Sequence, residues 1–122
     1  MGNFGGFGLE TFVRALPIQG RLIAAIAAAA RATELDPTLG EGWAALGHAL
    51  AGAGRLEDAR AALRQAVALE PRNWRHQYRM AVCTWGEERL RAVERAEALL
   101  PGFPGAQSLA TMVLIARQWP PQ

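Results

Sequence analysis

Along residues 9–118 the apolar positions recur at intervals of three and four, the spacing of a single face of an α-helix. Glycine or proline breaks the pattern between segments. The clearest stretch holds Trp43, Leu46, Gly47 and Leu50 on one stripe, followed by Ala51-Gly52-Ala53-Gly54, a small-residue cluster that reads as a turn. A second stripe of Ala59, Leu63, Ala66 and Leu69 then runs to Pro71, which cannot continue a helical ladder. The pair predicts a helical hairpin, with Gly47 facing Ala59 where the two backbones cross. Upstream, Leu9, Phe12, Val13 and Leu16 predict the first helix of an earlier pair. Downstream, Met80 and Ala81 lie before a turn at Trp85-Gly86, and Leu90, Val93, Ala96 and Leu100 lie after it, ahead of Pro101. A last helix is predicted at about 104–118. Valine, isoleucine and threonine are scarce, which argues against sheets. The fold class is therefore all-α.

The hairpins repeat. Gly20-Arg21-Leu22 returns as Gly54-Arg55-Leu56, an offset of 34. At that offset Ala25, Ala27, Ala28, Ala32, Leu35 and Pro37 match Ala59, Ala61, Ala62, Ala66, Leu69 and Pro71, so half of an eighteen-residue stretch is identical without a gap. The third copy is four residues short, since Pro71 to Pro101 spans 30. One helix pair cannot bury its own apolar face, so neighbouring pairs must stack into a solenoid. Residues 9–118 are assigned to that domain. The Gly/Phe-rich start, 1–8, reads as a flexible leader and 119–122 as a tail.

Trp43, Leu46, Gly47, Leu50, Ala59, Leu63, Ala66 and Pro71 follow the signature order of the tetratricopeptide repeat, and the chain resembles that family. The resemblance implies a right-handed α-solenoid of about three antiparallel hairpins plus a C-terminal helix. It further implies a scaffold that binds a partner peptide or protein in a concave groove lined by Glu10, Arg14, Glu41, Ala44, His48, Arg75, Tyr78, Arg79, Val82 and Trp85. One subclass of the family clamps chaperone C-termini. Arg75 and Arg79 match its basic pair, but Glu10, Arg14 and Ala45 stand where it carries lysine, asparagine and asparagine, so chaperone-tail binding is not expected.

Arg72, Arg75 and Arg79 share a helix face beside His76 and Tyr78, with no acid from Pro71 to Gly86. Such a stripe suits carboxylates held by bidentate hydrogen bonds, with Tyr78 and Trp85 supplying apolar contact. The alternative is a solvated face balanced by Glu70, Glu87 and Glu88.

Charge narrows the partners. Thirteen arginines, no lysine and eleven carboxylates leave a net charge of only +2, so the high pI does not argue for nucleic acid. Exclusive arginine usage points to a GC-rich, bacterial coding sequence. The single cysteine, Cys83, rules out an internal disulfide and fits a reducing cytoplasm. The longest apolar run, Leu22 to Ala30, is about half of what a bilayer crossing needs. Cys83 is read as a packing residue and His76 as a surface one, because two such ligands do not make a structural metal site. No cofactor is expected. Glu87-Glu88 reads as a helix start, not a catalytic pair. No nucleophile, base and orienting group occur together, so no enzyme is expected. The final helix, with Leu109, Met112, Val113, Leu114, Ile115 and Trp119, is too apolar for a solubilising cap. That feature raises a second reading, a self-assembly module that homodimerises through this helix.

Overall fold

A computed structural model describes residues 17–103 and 105–118. Among them are six helices and no strand: α1 (Ile18–Leu35), α2 (Gly40–Gly52), α3 (Leu56–Leu69), α4 (Trp74–Cys83), α5 (Gly86–Leu99) and α6 (Ala106–Gln118). Each helix packs on its neighbours in sequence, and α2 also touches α4, so successive hairpins stack into a helical-repeat solenoid. No described helix is long and apolar enough to cross a membrane. The leader, the segment Leu9–Leu16 and the tail lie outside the described residues.

Local chemistry explains the boundaries. Glu57 and Asp58 occupy the first turn of α3, and Glu87 and Glu88 that of α5, where carboxylates meet the positive end of the helix dipole. Asn73 caps α4, its side chain accepting from the Arg75 amide at 3.1 Å. Gly54, at φ +79°, makes the turn between α2 and α3. Its sequence counterpart Gly20 is helical instead. Pro17, with φ fixed at −56°, leads the chain into α1 at Ile18, four residues earlier than the Gly-Arg-Leu match suggests.

Ala59, Ala62, Leu63 and Ala66 are the buried residues of α3; with Leu50 and Cys83, the first three form one core cluster against which Trp43 and Leu46 pack. Trp43 also donates its indole N–H to the Pro37 carbonyl at 2.9 Å, fastening α2 to the loop before it. A second cluster holds Ala81, Ala92, Val93, Ala96, Phe103 and Ala106, and Met80 packs against both. The core is therefore continuous through the stack.

The short third repeat has a specific accommodation. Helix α4 has 10 residues where α2 has 13, and the turn after it is Thr84-Trp85 where the earlier one runs from Ala53 to Arg55. Two arginines serve the carbonyls at the truncated end. Arg60, from α3, donates to the Cys83 carbonyl at 2.8 Å. Arg89, from α5, donates through Nε to the Ala81 and Thr84 carbonyls at 3.0 and 2.9 Å. Guanidinium groups at a helix C-terminus satisfy orphan acceptors and oppose the negative end of the dipole.

Candidate functional site

Helices α2 and α4 leave a cavity of about 390 Å³ between them. Its lining brings together His48 from α2 with Arg75, Tyr78, Arg79 and Val82 from α4, all predicted groove positions. Ala51, Leu63, Trp74 and Cys83 complete the wall and were not predicted. Spacings of three and four along α4 put Arg75, Tyr78, Arg79 and Val82 on one side of that helix. The Asn73 cap fixes where the helix starts, and hence which way this side faces.

Aromatic packing holds the floor. Tyr78 and Trp74 lie 6.1 Å apart by ring centroids, and Phe103, which is buried, lies 5.6 and 5.7 Å from them. The Arg75 guanidinium sits 5.8 Å from the Trp74 ring centroid, within cation–π range. Among the described residues neither Arg75 nor Arg79 forms an ion pair. The cavity thus combines two guanidiniums and an imidazole with an apolar wall. The Cys83 thiol is pushed up by burial, against the pull of Arg60 and Arg89, which favours its neutral form as part of the wall.

The other predicted groove residues do not line this first cavity among the described residues. Ala44 is fully buried and does not line this cavity, because its side of α2 faces the protein interior. Trp85 caps the start of α5 half exposed, 4.7 Å from the Arg89 guanidinium, and does not reach the cavity wall. Glu41 lines a second cavity, walled by α1, α2 and Arg79 of α4, which shares His48 and Arg79 with the first. In that cavity α1 presents Ala25, Ala29 and Ala32, the counterparts of Ala59, Leu63 and Ala66, so this is the face a first helix of the same hairpin would cover. Glu10 and Arg14 lie outside the described residues.

His76 is not a surface residue. Its side chain is completely buried and its Nε2 lies 2.7 Å from Glu70 Oε1. The reason is register: at the offset of 34, position 76 corresponds to Gly42, which is also buried. Asn73 Nδ2 donates to Glu41 Oε1 at 3.3 Å and to Glu70 Oε1 at 3.4 Å. A Cβ on Gly40 would sit 2.7 Å from Glu70 Cδ, so glycine at that place admits the carboxylate. The hydrogen bond from His76 chiefly holds the Glu70 carboxyl below the usual carboxylate range; desolvation opposes it and Asn73 adds to it. Glu41, Glu70 and His76 bring three potential metal-ligand atoms within 4.8 Å of one another. Their hydrogen bonds account for the arrangement as a polar tie joining the start of α2, the end of α3 and the start of α4. Glu70 is thereby engaged by His76 and Asn73 and does not balance the α4 arginines.

A family model described as tetratricopeptide repeat matches residues 40–73, the segment that runs from the first residue of α2 to the Asn73 cap of α4. Comparison with the curated proteins gave no match.

Proposed function

We propose, from the premise that residues 40–73 are a tetratricopeptide repeat, that the chain holds a partner protein through an acidic, partly apolar segment laid in the cleft between α2 and α4. Such repeats mediate protein–protein interaction. The observation that carries the finer reading is the pair Arg75 and Arg79, without carboxylate ion-pair partners among the described residues, beside Tyr78, Trp74 and Val82 in one cavity. Carboxylates of the guest meet the guanidiniums, His48 adds a hydrogen-bonding edge, and an apolar side chain fills the aromatic-walled space. Recognition is the whole mechanism, with no covalent step, cofactor or metal. Exclusive arginine usage and the single cysteine support a bacterial, cytoplasmic setting.

The test is fluorescence anisotropy with labelled peptides that alternate Asp or Glu with Phe or Leu. The wild-type chain is expected to bind a subset saturably, and Arg75→Ala/Arg79→Ala to weaken that binding at least about tenfold, roughly 1.4 kcal/mol. Equal affinity of the double variant refutes the groove assignment.

A second reading rests on α6. Met112, Leu114 and Ile115 are 59%, 46% and 54% exposed on that helix, an apolar surface of the kind that subunits cover. It makes the chain a homodimer through α6. Sedimentation equilibrium is then expected to give a dimer mass that falls to monomer in Met112→Glu/Ile115→Glu. A wild-type monomer at high concentration removes this reading.

A further inference from the structure

Helix α4 has a second cavity-lining side, facing away from the cleft just described. Gln77, Met80 and Thr84 form the floor of a cavity of about 380 Å³, walled by Arg64, Val67 and Ala68 of α3 and by Glu88, Arg91 and Arg95 of α5. We propose that this cavity is an oxyanion site that takes a phosphate ester.

Three guanidiniums line it against a single carboxylate, which leaves an excess of positive charge. None of the three forms an ion pair among the described residues, with Glu88 or with any other acid. Arg91 and Arg95 are four apart on α5 and therefore share a face, an arrangement of like charges that works against the helix unless an anion bridges it. The floor supplies an independent observation. Gln77 is only 4% exposed, lines this cavity, and its side chain makes no hydrogen bond among the described residues. No side chain among the described residues satisfies this amide, which leaves it to water or to a guest. Thr84 does not, because its hydroxyl is already spent on the Met80 carbonyl at 2.8 Å.

The donor set selects the guest. Three guanidiniums and a carboxamide N–H offer donors to a group with several acceptor oxygens and more than one negative charge, which describes a phosphate better than a carboxylate. Val67, Ala68 and Met80 add an apolar wall that free phosphate would leave unused, so the organic part of an ester rests there. The site lies on the other side of α4 from the peptide cleft and stands or falls separately from it.

The experiment titrates the full ¹⁵N-labelled chain with phenyl phosphate at constant ionic strength in a chloride buffer, with inorganic phosphate and benzoate as parallel probes. Saturable shifts of the Ala68, Gln77 and Arg91 amides are expected. Inorganic phosphate should bind about tenfold more weakly, and benzoate more weakly still. Arg91→Gln/Arg95→Gln should lose at least about tenfold in affinity. Gln77→Leu should lose several-fold with its helical circular dichroism retained, while Arg75→Ala/Arg79→Ala should titrate like the wild type. Three results overturn the proposal: no saturation with phenyl phosphate, benzoate binding as tightly as phenyl phosphate, or undiminished binding in the folded arginine double variant.

Discussion

Leu63→Ala is expected to destabilise the chain by about 2–5 kcal/mol, the range for deleting the outer carbons of a leucine that the surroundings cannot replace. Leu63 is completely buried, belongs to the cluster that joins α2, α3 and the end of α4, and lines the cleft proposed to hold the guest. Its removal therefore strikes the interface within one hairpin and the interface to the next. A domain of this size has a total stability of only about 5–15 kcal/mol, so the thermal midpoint should drop by roughly 10–20 °C. Leu69→Ala supplies the control. Leu69 lies on the same helix but is 39% exposed, and its truncation should cost less than about 1 kcal/mol. Urea unfolding followed by circular dichroism distinguishes the two. A Leu63→Ala cost no larger than that of Leu69→Ala would mean that the hairpin interior is not where the repeat places it.

Leu63 was legible in the sequence for the same reason that much of the fold was. Helical spacing, proline and glycine punctuation and the offset of 34 are all local signals, and each constrains the backbone directly. They placed the apolar stripes of α2 and α3, the turn at Gly54 and the helix start at Glu87-Glu88. Less legible was anything decided by contacts between repeats. His76 read as a surface residue because its neighbours in sequence are polar, whereas α4 buries that face and the Glu70 carboxylate meets it there. The register to Gly42 was the available clue. Trp85 read as a groove aromatic by counting along the repeat, but the shortened α4 ends before it and leaves it beside Arg89. The cleft itself was half legible. His48, Arg75, Tyr78, Arg79 and Val82 follow from periodicity along two helices, while Trp74 and Phe103 depend on how the loop before α6 folds back, which no local pattern states.

The same comparison between repeats yields the second large stability effect. A Cβ on Gly47 would lie 2.7 Å from Leu63 Cγ and 3.2 Å from the Ala59 carbonyl. The first of these atoms is the branch point of a fully buried side chain and the second is backbone, so neither moves cheaply. Gly47→Val is expected to cost about 3 kcal/mol, at the upper end of what overpacking a core produces. The third repeat shows how the space is shared. There Ala81 stands at the position of Gly47, Val93 at that of Leu63, and both are buried. One crossing pairs glycine with leucine, the other alanine with valine, and the added carbon on one helix goes with one fewer carbon on its partner. Gly47→Ala alone should therefore destabilise, even though alanine is about 1 kcal/mol better than glycine inside a helix. In a Leu63→Val background the same change should cost at least about 1 kcal/mol less. A double-mutant cycle measured by urea unfolding reads this coupling directly. If Gly47→Ala instead stabilises the wild-type chain by the full helix-propensity gain, Leu63 yields freely and close approach at this crossing does not account for the glycine.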